Sequence, residues 1–327
     1  MIWEFQGYYD YAKKDKDAQL EIITKLDVLD KSALERWSEF ADLDAWSRLL
    51  VLSQAIATPS KNQARMGTQE GPGGYQLWLE KIANEFFKQQ HGHLERLSLC
   101  PALPDMKILP PGSWGIQLTF TLKKPYISKD DTEFYIIDNP VRKEWVFKVP
   151  YVAPSQWKGA LRAAMRRLRG YTTWEQEGQD PQMVRLFGNV KGEQEEFRAG
   201  RLHFYPTFFD QIGLEVINPH DRETGAGTQP IYLECVPAGA KGTFTLLYVP
   251  LDNGPVDEAT VRDDLRAVAD GLQEMFTRQG FGAKTSSGYG IVEDKVDGYI
   301  RTQSDVNEVR VSGLNHPKID IQRVKFW

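Results

Sequence analysis

Hydrophobic positions recur at two different periods along the chain, and the change of period divides it. In the first hundred residues the spacing is helical. Ser32 and Glu35 stand as a capping box ahead of the apolar set Leu34, Trp37 and Phe40, a pairing that satisfies free backbone N–H groups at a helix start. Trp46, Leu49, Leu50 and Ile56 form a second apolar stripe. It should end near Thr58, because the residue before Pro59 is pushed out of the helical region. A polar loop over 59–74 leads to a third amphipathic pattern over 75–91, with Leu77, Trp78, Ile82, Phe86 and Phe87 inward. Four prolines between 101 and 112 then break the helical grammar.

Beyond them the period becomes two. Residues 114–122 put Ile116, Leu118, Phe120 and Leu122 on one face, as a half-buried strand does. Further strand candidates are 201–209, 231–236, 242–249 and 289–293. Two helices stand among them. One starts near Ser155 and the other covers 257–278, where Val261, Leu265, Val268, Leu272, Met275 and Phe276 keep helical spacing. Strands interrupted by two long helices predict an α+β sheet with helices on one face, the ferredoxin-like or RNA-recognition-motif architecture. The division along the chain is then a helical region at 1–111, a core at 112–300, and a tail at 301–327 that carries no clear period.

Composition narrows the class. A chain of 327 residues allows about two domains, and 41% hydrophobic with 26% charged residues is an ordinary globular mix, unlike a disordered or fibrous chain. Two cysteines, Cys100 and Cys235, make no disulfide framework and no zinc motif, so a reducing compartment is expected. No run approaches the roughly 20 apolar residues of a membrane span, and the first residues lack a signal peptide's apolar stretch. The expectation is a soluble cytoplasmic protein with no membrane partner. A net charge of −5 weighs against a nucleic-acid partner overall, but leaves room for a local basic stripe.

Such a stripe lies at 156–169. Lys158, Arg162, Arg166 and Arg169 share one helical face beside an apolar stripe of Trp157, Leu161, Met165 and Leu168, and with Arg167 the segment has five cations and no acid. It reads either as a rail for phosphates or as a solvated face whose cations pair with acids elsewhere. The loop at 280–290 alternates Gly280, Gly282, Gly288 and Gly290 with Lys284, Thr285, Ser286, Ser287 and Tyr289. Glycines that allow positive φ, with hydroxyl, amide and ammonium donors between them, suit an anion nest. The order helix, loop, strand and the failed spacing exclude a Walker loop.

Asp138, between an apolar run and Asn139-Pro140, could hold a divalent ion or orient a 2′-hydroxyl, or simply initiate an Asx turn. Asp130 and Asp131, with Lys129 adjacent, look like a solvated loop. Residues 213–235 read as a strand, a glycine-rich tip and a returning strand; His220 and Arg222 at the tip could contact RNA. His91, His93 and His203 have no metal spacing.

In this order the segments resemble the RAMP superfamily, the proteins that form RNA-binding backbones of CRISPR effector complexes in antiviral defence, and in particular the repeating backbone subunit of type III, RNA-targeting complexes. The carriers are IIDNPV at 136–141, VPYVAPSQWKGALR at 149–162, RLFG at 185–188, AGRLHF at 199–204, the stretch from 217 to 244, and GFGAKTSSGYG at 280–290. The resemblance implies a modified RNA-recognition-motif core with a β-hairpin thumb at 213–235. It also implies guide contacts at Lys158, Arg162 and Arg166, at Gly282, Lys284, Ser286, Ser287, Gly288 and Tyr289, and at the thumb residues His220 and Arg222. Partners would be CRISPR RNA, single-stranded target RNA and other effector subunits. Asp138 stands where the family's catalytic aspartate stands, which implies an endoribonuclease using Mg or Mn and 2′-hydroxyl attack on the adjacent phosphate. A non-catalytic scaffold subunit of the same kind of complex is the alternative. Ala153-Pro154-Ser155-Gln156 departs from the family's proline-glycine-serine-serine, and the helical first hundred residues have no counterpart in its minimal subunit, which makes 1–111 an N-terminal extension or an insertion after a first strand at 1–9.

Overall fold

The computed structural model describes residues 44–53, 61–67, 72–130, 135–189, 198–219, 230–251, 257–303, 309–314 and 324–326. Helices α1 (Ala45–Leu52), α2 (Lys61–Met66) and α3 (Gly74–Trp78) come first, and a π-helical turn at Leu79–Ala83 joins the last of these to α4 (Asn84–Arg96). Strands β1 (Trp114–Thr121) and β2 (Tyr151–Val152) precede α5 (Pro154–Leu168), α6 (Trp174–Gly178) and α7 (Pro181–Phe187). Then follow β3 (Leu202–Phe204), β4 (Thr207–Phe208), β5 (Gly213–Ile217), β6 (Ile231–Cys235) and β7 (Lys241–Tyr248), helix α8 (Glu258–Glu274), and strands β8 (Asp297–Thr302) and β9 (Val309–Val311). The chain forms two compact units, one of 1–92, 129–141 and 210–235, the other of 93–128, 142–209 and 236–327.

The second unit is a mixed α+β structure on a five-stranded antiparallel sheet in the order β3-β7-β1-β8-β9. Strand β1 is central because both neighbours pair along it, with Trp114 opposite Tyr248 on one side and Thr302 on the other. Its buried residues Ile116, Leu118 and Phe120 are the alternating set that predicted the strand. Helix α5 has Pro154 in its first turn, where a missing N–H costs nothing. Helix α8 starts at Asp257, whose carboxylate accepts from Ala259 N and Thr260 N. Gly271 of α8 lies against Met165 and Leu161 of α5, so the helices approach closely. Between helices and sheet lies an aromatic core in which Phe120, Trp157, Phe244 and Phe276 meet edge-on or tilted, the arrangement that ring quadrupoles prefer.

Three expectations are corrected here. Residues 201–209 form two strands in different sheets, β3 beside β7 and β4 beside β2, because Pro206 has no N–H to continue a ladder. Residues 289–293 contribute a single bridge, Val292 to Leu122, and the edge next to β1 is taken by β8 instead. The stretch read as a tail without a clear period, 301–327, takes part in the sheet and core: β8 runs on to Thr302, β9 adds the fifth strand, and Val324 and Phe326 are buried.

In the first unit β5 and β6 form an antiparallel hairpin with Gly213 opposite Cys235. The helical region shares its core with chain that comes much later. Trp46 stacks 6.0 Å from Phe86 and 6.1 Å from Tyr135, and the hydroxyls of Tyr75 and Tyr135 both donate to the buried Glu234 carboxylate at 2.5 Å. A boundary near residue 111 therefore does not match the packing: 135–141 and the hairpin complete the helical unit, because Glu234 needs donors that the helices supply. The capping box at 32–35 and the strand at 1–9 lie outside the described residues.

Candidate nucleic-acid interface

The basic helix and the glycine-rich loop meet. Trp157 in the first turns of α5 is buried, its ring centroid 4.4 Å from that of Phe281 at the start of the loop. The base of the loop is pinned by Gly290 N to Pro125 O at 2.8 Å and Ala283 N to Ile127 O at 2.7 Å. Gly282, at φ +94°, and Gly290, at φ +71°, sit where a Cβ would come 2.4 Å from Ile127 O and 2.0 Å from Phe281 O. These two glycines thus serve backbone approach within the protein. At the tip Lys284 takes a left-handed conformation and a 3₁₀ turn covers Thr285–Ser287, leaving Lys284, Ser286 and Ser287 exposed, with Gly288 and Tyr289 half-buried. The amides of Ser287 and Gly288 bond within that turn, so the tip offers an ammonium and hydroxyls more than a backbone nest.

Along α5 the two readings of the basic stripe divide between residues. Arg162 and Arg166 both reach Glu177 of α6, whose side chain is 2% exposed, and both lie over Trp174, at 5.4 and 3.9 Å from its ring centroid. Arg169 pairs with Asp180, the cap of α7, at 2.5 Å. These cations are thus held by acids supplied 11 to 15 residues later, a spacing that helical periodicity does not show. Two guanidiniums against one carboxylate still leave a net positive charge. Lys158 is half-buried, and burial together with the Arg162 charge lowers its pKa; burial and Lys158 likewise lower that of His203. A shallow pocket at the end of the helix is lined by Arg166, Arg167, Tyr171 and Thr172.

Asp138 belongs to the other unit. Its side chain is 55% exposed, and Oδ1 accepts from Lys61 Nζ at 2.9 Å and Arg65 Nη2 at 2.6 Å. Arg65, 3% exposed, also donates from Nε to Ile136 O. Burial raises the Asp138 pKa, but the bonds and charges of Arg65 and Lys61 outweigh it and the net shift is downward. Behind it Glu234 accepts from Val141 N at 3.2 Å, and Glu234 N donates to Asn139 O, so strand β6 holds the segment that carries Asp138. Sequence reasoning missed Lys61, Arg65, Glu177 and Glu234, whose roles depend on partners distant along the chain. A Mg or Mn ion fits poorly at Asp138: hard cations need anionic oxygen donors, whereas this oxygen already faces two cations. Among the described residues no group of three His, Cys, Asp or Glu is arranged to hold a metal. Nor is any described helix long and apolar enough to cross a membrane. Asp131 and the tip residues His220 and Arg222 lie outside the described residues.

The family model described as the RAMP superfamily matches residues 78–293. The chain is 29% identical over 169 residues to the CRISPR system Cms endoribonuclease Csm3 of Streptococcus thermophilus, covering 48% of this chain and 74% of that protein. A chain in the cryo-EM structure of the Type III-B Cmr-beta complex bound to cognate target RNA aligns over 87% of this chain and 99% of its own, at a TM-score of 0.43 and 16% identity.

Proposed function

The chain belongs to the RAMP superfamily, and from that premise we propose that it is an RNA-binding backbone subunit of a type III CRISPR effector complex, with guide RNA, target RNA and neighbouring subunits as partners. The observation that carries this reading is the packing of Trp157 on Phe281, since it joins the start of the basic helix to the glycine-rich loop and presents Lys158 and Lys284 from one body. Cations on a rigid frame hold a phosphate backbone whatever its sequence. The succession β1, α5, β3, β7, α8, β8 with β1 between β7 and β8 supports a modified RNA-recognition motif, and the β5–β6 hairpin supports a thumb. Lys158→Gln and Lys284→Gln should each weaken RNA binding across sequences alike and reduce the log-log salt slope by about 0.7. An unchanged slope would remove the reading.

A second reading, cutting of guide-paired target RNA, is favoured by the exposure of Asp138 and by its place in the 136–141 motif. Against it stand Lys61 and Arg65: a carboxylate bonded to two cations is a weak base and a poor metal ligand, and its bonds tie the helical region to the loop. The scaffold role is the one that fits this geometry. Mapping cuts on a labelled target with a complex assembled around Asp138→Ala separates the two. A scaffold predicts an unaltered ladder, whereas loss of cutting at one site would establish the nuclease.

A further inference from the structure

Residues 142–150 close on themselves as a tight turn. Lys143 bridges Pro150, Glu144 N donates to Val149 O at 2.8 Å, and Lys148 N donates to Glu144 O at 3.0 Å. The Glu144 carboxylate accepts from the backbone of Val146 and Phe147 at 2.8 and 2.6 Å. Closing the turn puts Lys148 at φ +60°, which costs a residue with a Cβ about 1–2 kcal/mol. What this frame holds out is Trp145, 84% exposed, with the Lys148 ammonium 4.8 Å from its ring centroid. An indole kept in water by an internally bonded turn is not a frayed end.

The turn is cationic in its own sequence: Arg142, Lys143 and Lys148 stand in it with one acid, Glu144, whose carboxylate is turned onto backbone donors. Nearby, Arg142 lies 5.8 Å over the ring of Tyr151. Aromatic faces interleaved with cations are what single strands are held by, since every base has a π-face and every link a charge. We propose that Trp145 is a stacking platform for an unpaired nucleobase of bound RNA, with Lys143 and Lys148 serving the flanking phosphates. The proposal rests on the RNA-binding reading above. Positive charge around the ring matches a polyanion, and the exposed apolar side chain next to it in sequence is the small Val146.

The test uses the full chain and a single-stranded oligouridylate carrying one 2-aminopurine, whose fluorescence falls on stacking. Trp145→Ala should bind about 5- to 150-fold more weakly, the equivalent of one lost stack, and lose the quenching. Trp145→Phe should recover most of both. Trp145→Ala should leave the salt slope unchanged, while Lys148→Gly should lower it by about 0.7 with an equal or higher Tm, because glycine takes the positive φ without strain. Wild-type affinity and quenching in Trp145→Ala overturn the proposal. So does unaltered RNA binding with lost association to neighbouring subunits, which would mark a protein contact. If Lys158→Gln and Lys284→Gln weaken binding while Trp145→Ala does not, the platform fails and the proposed function stands. A wild-type chain that binds no RNA removes both.

Discussion

Glu234 and Glu177 are both buried carboxylates, and each is satisfied in a different way. Glu177 meets two guanidiniums, whereas Glu234 takes the hydroxyls of Tyr75 and Tyr135 and the amide of Val141. Tyr75→Phe should cost about 1.5–3 kcal/mol, the range for a hydrogen bond to a charged group, read as a fall in Tm. Burial first, and then the Glu234 charge, push both tyrosine hydroxyls well above their ordinary value of 10.0. With the folded pKa above the unfolded one, their contribution is whole below about pH 10 and is lost as pH rises beyond it. Thermal melts across that range should decline less steeply in the double variant of Tyr75→Phe and Tyr135→Phe. Asp138 has the opposite sign. Its folded pKa is lowered from 3.8, so its contribution is present above that value and lost as pH falls through it. Asp138→Ala leaves Arg65 buried without its carboxylate and should cost about 1–2 kcal/mol, discounted because the acid is half in water.

Elements were read well where one period ran long enough. Strand β1 and helices α5 and α8 follow from their apolar spacing, and the change of period after residue 112 coincides with the start of the sheet. Strand β8 was not legible because Gly298 interrupts it. A Cβ there would come 2.1 Å from Gln117 O, so close strand approach demands the residue that weakens the strand signal. The glycine-rich loop was found, but its glycines were assigned to an anion when two of them serve the chain itself. The difference is measurable. Gly290→Ala combines positive φ with a clash against fixed backbone and should displace the loop, with loss of RNA binding. Gly288→Ala, at φ +82° in open space, should cost only about 1–2 kcal/mol. The ion pairs of α5 stayed hidden for another reason, since nothing in a helical repeat indicates which acids fold back onto it.

At the level of the whole chain, the first unit is assembled from three separated stretches. A chain beginning near Pro110 would lack Lys61, Arg65 and Tyr75, leaving Glu234 and the Asp138 segment without the donors that hold them. Such a chain should lose cooperative unfolding by calorimetry or collect in the insoluble fraction. The same bond pattern sets an order in time. Tyr75 and Glu234 are 159 positions apart, and at about 5–20 residues per second a ribosome needs about 8 to 30 s to travel between them. Through that interval the helical stretch, with Trp46, Trp78 and Phe87, is made but cannot close its core. The N-terminal region must therefore be the late folder although it is synthesised early. Its yield in soluble form depends on how quickly translation reaches β6 and on what shelters those aromatic rings until it does.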